Sequence, residues 1–213
     1  MIHIVKQGEY LSRISKQYGF ADWKTIWDDA QNADLKKKRQ NPNVLYPGDK
    51  LFIPEKEEKK EPGATEQRHR FRFTGKPLIL RLRVRDFGHE PLANTKCTLY
   101  IEGEGKELTT DNQGMIKLPI AANAENGFLI FQDPLVPFPL NIPIKIGHLD
   151  PIEEITGQKA RLNNLGYDAK SLDGKDEEKF TIAVQEFQCD YNLKVDGICG
   201  PATQAKLKEV HGC

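Results

Sequence analysis

The sequence predicts a multi-domain α+β protein: a strand–helix–helix–strand unit, then a small β-sandwich, then a three-helix bundle. Hydrophobic residues follow helical spacing in the first and last parts of the chain and alternate in the middle. A charged run that ends in Pro62 and Gly63 separates the first part from the second. With 213 residues the chain is long enough for several domains of about 50 to 90 residues. We place the first domain at residues 1–54, a linker at 55–67, the sandwich at 68–147 and the helical domain at 148–213.

The overall composition is typical of a globular protein, with 38% hydrophobic and 29% charged residues. The formal net charge is zero, so the chain has no basic footprint for nucleic acid. The sequence has no run of about 18 apolar residues, and we therefore expect no membrane insertion. The first 11 residues lack the apolar segment of a secretory leader. Either a leader has been trimmed from the sequence, or the protein is synthesised in the cytoplasm and leaves by a route that needs no leader.

Short elements are predicted within the first domain. Leu11, Ile14 and Tyr18 recur at helical spacing. Gly19 then ends this helix, because glycine tolerates the left-handed conformation. Asp22 is a candidate N-cap for a second helix that carries both tryptophans. Short extended runs at the two ends of the domain complete the strand–helix–helix–strand order.

The two ends of this domain carry recognisable runs: HIVKQGEYL at residues 3–11 and YPGDKLFIP at residues 46–54. Together they resemble the LysM family of glycan-binding domains. The resemblance implies a two-stranded sheet with two helices on one face, and a ligand that contains N-acetylglucosamine. Residues 32–40 depart from it, because this segment is longer than the family's usual link between the second helix and the second strand.

The resemblance to LysM also implies a site, since sugars lie in a shallow groove between two loops of that family. The implied contacts are Gly8, Glu9, Tyr10 and Leu11 in the first loop and Asn41, Asn43, Val44, Leu45 and Tyr46 in the second. Backbone amides and an asparagine side chain suit acetamide and hydroxyl groups, while Tyr10 or Leu45 suits the apolar face of a sugar. The alternative interpretation places Leu11 and Leu45 in the core and gives Asn43 a role in a turn.

Residues 68–147 predict a small antiparallel sandwich. Strands are expected at residues 78–85, 96–101, 107–110, 115–118, 127–131 and 141–146. The Asp-Asn-Gln-Gly turn at 111–114 predicts a hairpin between the strands that flank it, and Pro143 predicts an edge position for the last strand. The runs GHEPLAN at 88–94 and TTDNQG at 109–114 resemble the prealbumin-type sandwich of regulatory and surface-protein domains. That resemblance implies a spacer.

Helical patterns return after residue 148. RLNNLGY at residues 161–167, AVQEFQ at 183–188 and VDGICGPAT at 195–203 stand in the order of the peptidoglycan-binding domain family, which they resemble. The resemblance implies a three-helix bundle that binds the cell wall. Two Asp-Gly turns, each before a helix, form an internal half-repeat. The wall contacts implied in this domain are Tyr167, Asp173 and Asp196.

None of the sequence patterns predicts a catalyst, a metal centre or a cofactor site. The histidines are scattered over all domains without metal-ligand spacing. Glu102 and Glu104 flank a glycine, which favours a solvated hairpin tip over a glycosidase pair. Cys97 lies in a strand pattern and is expected to be a core thiol. The three cysteines of the last domain either form one disulfide or stay free.

The sequence therefore favours a non-catalytic bacterial protein that binds peptidoglycan through two modules separated by the sandwich. Two weak sites on one chain raise avidity through effective concentration. The alternative is a structural, adaptor or effector-targeting component of a contractile injection apparatus, of the type VI secretion or phage-tail kind. In that case LysM docks on protein, and a secretion-apparatus or effector protein is the partner. The first hypothesis places the protein at the periplasm or cell wall, the second in the secretion apparatus.

Overall fold

The computed structural model describes residues 1–56, 63, 65–70, 77–86, 88, 90–132, 138–172 and 177–213. Along the chain follow an N-terminal unit of strands and helices, a central pair of antiparallel sheets and a C-terminal group of helices. Each unit has its own cluster of buried apolar side chains. None of the helices in these ranges is long and apolar enough to cross a membrane.

The N-terminal unit packs short helices on a two-stranded antiparallel sheet. Its elements are β1 (Ile2–Ile4), α1 (Leu11–Gln17), α2 (Lys24–Trp27), a short 3-10 helix (Ala30–Asn32), α3 (Ala33–Arg39) and β2 (Lys50–Phe52). β1 and β2 lie side by side, with Ile2 opposite Phe52. The core between sheet and helices includes Leu11, Ile14 and Ile26, each fully buried.

The segment of residues 32–40, expected to be a long link, contains helix α3. Leu35 turns into the core, while the lysines that follow it stay exposed. Asp34 lies in the first turn of α3 and four basic residues lie in the last, so the charges complement the helix dipole. The expectation of two helices between the strands is therefore corrected: a third helix fills the added length.

Asn32 ties the helices to the second strand. Its amide nitrogen donates to the carbonyl oxygens of Ile26 and Phe52, both at 2.7 Å, and its oxygen accepts from the Phe52 amide at 2.8 Å. Asn32 is 1% exposed, so these bonds replace the water that burial removes. They fix the junction before α3 against β2.

A buried ion pair joins α3 to the turn before β2. Arg39 donates to Asp49 from Nε at 2.7 Å and from Nη2 at 2.9 Å, and the two side chains are 3% and 6% exposed. Burial by itself raises the pKa of Asp49, but hydrogen bonds from Arg39 and from the Tyr46 amide outweigh it. The pKa of Asp49 therefore lies below its ordinary value.

Replacing Asp49 with asparagine is expected to lower the free energy of unfolding by about 3 kcal/mol at neutral pH, because Arg39 is left buried without a carboxylate. Since the folded-state pKa of Asp49 is lowered, its contribution is present above the unfolded value of about 4. That contribution is lost as the pH falls through the folded value, so urea unfolding at about pH 7 and about pH 2 measures it. The control is Asp28→Asn, whose partner Lys36 is exposed; a loss of equal size there would contradict the assignment.

The described part of the central unit has six strands in two antiparallel sheets. They are β3 (Leu78–Arg83), β4 (Lys96–Ile101), β5 (Glu104–Thr109), β6 (Met115–Ile120), β7 (Asn126–Phe131) and β8 (Leu140–Lys145). β3 pairs with β6, and the other four form a sheet in the order β5–β4–β7–β8. Leu99, Ile116 and Phe131 belong to the buried cluster of this unit. Pro143 lies on β8 at the edge of its sheet, which confirms its predicted position.

The predicted hairpin across residues 111–114 is wrong. β5 pairs with β4 and β6 pairs with β3, so the segment between β5 and β6 carries the chain from one sheet to the other. The Asp111 carboxylate accepts from the main-chain amides of Gln113 and Met115, at 2.8 and 2.9 Å. These amides therefore have hydrogen-bond partners although the flanking strands do not pair with each other. A hairpin instead joins β4 to β5 through Glu102 and Gly103, whose φ angles of 50° and 85° suit a two-residue turn. The predicted hairpin tip at Glu102 is confirmed.

The described C-terminal unit consists of α4 (Ile155–Asn164), α5 (Glu177–Asp190) and α6 (Pro201–His211). Their shared core contains Leu162, Phe187 and Leu207, all fully buried. Pro151 precedes α4, which begins at Ile155. Its carbonyl oxygen lies so close to Gly157 that a β-carbon there has no room. The chain therefore folds back beside the first turn of α4 before entering it.

Candidate functional site

Contacts within the N-terminal unit hold the first predicted glycan loop in place. The Glu9 carboxylate accepts from the Lys6 amide at 2.8 Å and lies 2.9 Å from Nε2 of His3. Leu11 is fully buried, which agrees with the alternative interpretation that places it in the core. Gly8 is buried with a φ of 80°, a conformation that favours glycine. The loop is thus preorganised before any ligand binds.

Tyr10 leaves its own unit and packs into the core of the central unit. It is 1% exposed, and its hydroxyl donates to the carbonyl oxygen of Ala124 at 2.7 Å. Burial raises the pKa of Tyr10 to about 12. Its ring lies so close to Gly147 that a β-carbon at that position would overlap the ring. In this arrangement the Tyr10 ring has no surface for a sugar, and the predicted sugar contact by this side chain finds no support.

Polar contacts extend the interface around Tyr10. Arg13 forms an ion pair with Glu125. Nζ of Lys16 donates to the Asn123 side chain at 2.7 Å. At this interface the buried side chain of Tyr10 is therefore flanked by polar and charged groups.

The second predicted loop lies directly against the first. The Leu11 amide donates to the carbonyl oxygen of Pro42 at 3.2 Å, and Ser12 donates to the Asn43 side chain at 3.2 Å. The Asn41 side chain accepts from the Asn43 amide at 3.0 Å, which gives Asn43 the turn role of its alternative interpretation. The structure therefore brings together the two loops that the sequence assigns to one groove.

Exposure separates the residues of the second loop into two groups. Val44 and Leu45 are 7% and 4% exposed, and Leu45 belongs to the core of its unit. Asn41, Asn43 and Tyr46 are half-buried and form the accessible rim of the loop. Contact of these residues with glycan stays a prediction.

The residues predicted for wall contact in the C-terminal unit have structural roles where they are described. Tyr167 is 4% exposed, and its hydroxyl donates to Asp190 at 2.8 Å. Burial and the Asp190 carboxylate hold the pKa of Tyr167 well above the ordinary tyrosine value. Asp196 accepts from the Ile198 amide at 3.0 Å, and this bond is the main cause of its lowered pKa. Asp173 lies outside the described residues.

Gln188 organises the loop between α5 and α6, a role that the sequence patterns did not single out. Its amide nitrogen lies 3.0 Å from oxygens of Asp196, Ile198 and Thr203. Its own oxygen accepts from the amides of Asp196 and Gly197 at 3.0 and 2.9 Å. Its position in the sequence could have indicated this role. Gln188 follows a buried phenylalanine on the inner side of α5, where a polar group needs hydrogen-bond partners.

A cleft of about 570 Å³ lies between the second loop and the C-terminal unit. Asn41 and Val44 line it on one side. Residues of α4, α6 and the segment before α4 line it on the other. Its volume falls within the range typical of ligand sites. The loop predicted to bind sugar therefore faces the C-terminal unit across a cavity.

Within the described ranges, no three histidine, cysteine or acidic side chains gather as a metal site. All four cysteines are free thiols. Of the two alternatives for the cysteines of the last domain, the structure therefore has the free thiols and not the disulfide. Cys97 is buried in the central unit, which confirms its predicted core position. Sγ of Cys213 lies 3.4 Å from Nδ1 of His211, whose pKa falls to about 4 through burial and the charge of Arg161.

Comparison with protein families identifies both ends of the chain. Residues 3–54 match the LysM domain family, and residues 153–207 match the family described as "Putative peptidoglycan binding domain". Comparison with curated proteins and with solved structures gives no significant match. The antiparallel sheets between the two matched segments are consistent with a spacer. The chain therefore has an N-terminal LysM domain and a C-terminal peptidoglycan-binding domain, joined by a sheet-rich middle.

Proposed function

We propose that this protein is a non-catalytic peptidoglycan-binding protein that holds the cell wall through both terminal domains. The observation that carries the proposal is the presence of two unrelated domain families, LysM and peptidoglycan-binding, on one chain. Both are binding modules for the same polymer. Two sites in one molecule raise avidity, because the second contact forms at high effective concentration.

The geometry of the LysM domain supports this proposal. Its two loops adjoin, and Asn41, Asn43 and Tyr46 present polar groups at their rim. Amide and hydroxyl groups of this kind hydrogen-bond the acetamide and hydroxyl groups of N-acetylglucosamine. The buried Val44 and Leu45 support the rim from below.

Two side chains outside the terminal domains support a binding role rather than a catalytic one. Glu102 accepts from the amides of Asn126 and Glu125, at 2.9 and 2.6 Å, and these bonds lower its pKa. An acid that main-chain donors hold ionised is poorly suited to protonate a glycosidic oxygen. Cys97 is buried with a raised pKa, which disfavours the nucleophilic thiolate.

Co-sedimentation of the full-length protein with purified peptidoglycan sacculi tests the proposal. We expect the protein to pellet with intact sacculi and to stay in the supernatant when a muramidase has digested them beforehand. Protein that remains in the supernatant with intact sacculi would contradict wall binding.

Asn41→Ala is expected to weaken the binding of N-acetylglucosamine oligomers about three- to tenfold, which corresponds to one lost hydrogen bond. Isothermal titration calorimetry with chitotetraose measures the change. Gln31→Ala is the matched control, because Gln31 is exposed on the 3-10 helix and does not belong to either loop. Equal affinities of Asn41→Ala and the unaltered protein would place the sugar elsewhere.

One observation favours a second candidate, an adaptor or effector-targeting part of a contractile injection apparatus. Tyr10 packs the first LysM loop against the central unit of the same chain, so this loop contacts protein rather than sugar. An adaptor of this kind meets a secretion-apparatus or effector protein, whereas the wall binder acts at the periplasm or cell wall. The sacculus assay separates the two, since a protein that does not pellet leaves the adaptor as the candidate.

A further inference from the structure

We propose that the cleft between the LysM domain and the C-terminal domain binds the peptide stem of peptidoglycan, and that Arg161 receives a carboxylate of that stem. The inference rests on the proposed function and deepens it, because it names the part of the wall polymer that lies between the two domains. Neither domain alone contains the site, since its walls come from both.

The cleft lies between the predicted glycan rim of the LysM domain and a partly apolar surface of the C-terminal domain. Asn41 and Val44 line it on the LysM side, next to the rim predicted to hold glycan. Ile152 and Ala205 line it on the opposite side and add apolar surface. Short alkyl groups, such as those of a peptide, suit such walls. Because the rim and the cleft adjoin, the cleft is within reach of a peptide substituent of a glycan held on the LysM rim.

Arg161 is a buried cation on the wall of this cleft. It is 1% exposed. Nε donates to the main-chain oxygen of Cys213 at 2.7 Å, and Nη1 donates to those of Asp150 and Gly157, both at 2.8 Å. In the part of the chain that the structure describes, Nη2 has no hydrogen-bond partner and no acidic side chain pairs with Arg161. Its free N–H groups are therefore available to a ligand.

The electrostatics of Arg161 favour an anion at this position. Burial lowers the pKa of Arg161, because the charged form is poorly solvated there. A carboxylate at Nη2 compensates for that lost solvation. Such a charge-assisted bond is stronger than the bonds to the neutral carbonyl groups of Asp150 and Gly157 that Arg161 already makes. The site therefore discriminates in favour of ligands that carry a carboxylate.

Charged groups of both signs also line the cleft. Nζ of Lys208 lies 3.8 Å from the Glu153 carboxylate, and Glu209 is close by. The lining holds the acids Glu153 and Glu209 together with the cations Arg161 and Lys208, so a peptide with both carboxylate and ammonium groups meets complementary charge. A wall stem peptide with acidic and diamino residues has this mixture.

Titration of the full-length protein with three soluble probes tests the inference. They are chitotetraose, the disaccharide GlcNAc–MurNAc, and the same disaccharide with a tripeptide stem. We expect the tripeptide form to bind at least about tenfold more tightly than either other probe. Equal affinity of the two disaccharides would mean that Arg161 receives the carboxylate of MurNAc rather than one of the stem, and would overturn the stem assignment. Equally tight binding of an unrelated tripeptide would overturn it in favour of a protein terminus.

Two variants of α6 form a matched pair. Ala205 and Ala202 are both exposed on this helix; Ala205 lines the cleft, and Ala202 is not part of its lining. Ala205→Trp is expected to reduce the affinity for the tripeptide form to that for chitotetraose, while Ala202→Trp leaves it unchanged. Both variants are expected to melt at the temperature of the parent. Unchanged tripeptide affinity in a folded Ala205→Trp protein would overturn the inference.

Sacculi distinguish failure of this inference from failure of the proposed function. An amidase removes the stem peptides and leaves the glycan strands in place. We expect the protein to pellet several-fold less with stripped sacculi than with intact ones. Equal pelleting with both overturns the cleft inference alone, whereas no pelleting with either overturns the proposed function as well.

Discussion

Replacing Tyr10 with alanine is expected to lower the free energy of unfolding by about 3–5 kcal/mol and to detach the LysM domain from the central unit. The residue is 1% exposed in the core of that unit, and its hydroxyl donates to Ala124 at 2.7 Å. The substitution leaves a cavity in the core and a buried carbonyl group without its donor. Urea unfolding measures the loss of stability, and small-angle X-ray scattering measures the rise in the radius of gyration.

Tyr10→Phe separates the two contributions of this side chain. It keeps the packed ring and removes the hydroxyl, so we expect a loss of about 1 kcal/mol and an unchanged radius of gyration. If Tyr10→Ala unfolded within about 1 kcal/mol of the parent and kept its radius of gyration, other contacts would hold the domains together.

Gln188→Leu is expected to lower the free energy of unfolding of the C-terminal domain by about 3–4 kcal/mol. Leucine fills a similar volume but offers none of the bonds that Gln188 makes to Asp196, Gly197 and Thr203. Main-chain amides of the loop before α6 then lose their acceptor. Thermal unfolding measures the loss, and hydrogen exchange of the amides at 196 and 197 is expected to accelerate with it.

Gln185→Leu is the matched control for this change. Gln185 lies on the same helix, one turn earlier and exposed, so the same substitution is expected to change stability by less than about 0.5 kcal/mol. Comparable losses in both variants would mean that the loop is not held by Gln188.

The strands of the central unit are predictable from the sequence because alternation along a strand is a local property. Which strand pairs with which is not predictable in this way. The turn at residues 111–114 has hairpin chemistry, yet Asp111 satisfies it alone, and the next strand crosses to the other sheet. Which strands pair depends on how the buried faces of two sheets meet, and no short run of residues records that.

Helix α3 and Tyr10 escape prediction for different reasons. Leu35 is the buried residue of α3, and a single apolar position gives no periodic signal. Tyr10 stands in a loop that resembles a sugar site, but its burial depends on Ala124, 114 positions away. Arg161 lies inside a recognised motif, whereas the cleft that it lines exists only where two domains meet.

The side-by-side ends of the LysM domain determine how that domain responds to mechanical load. Ile2 lies opposite Phe52, so a pull on the two ends of the domain opens the antiparallel pair rung by rung, as a zipper opens. Tyr10 gives the tension another route, because it attaches the domain to the central unit independently of the linker. On the proposed function, tension from a glycan bound to the LysM domain passes through Tyr10 into the sandwich, and the three paired positions of β1 and β2 carry less of it.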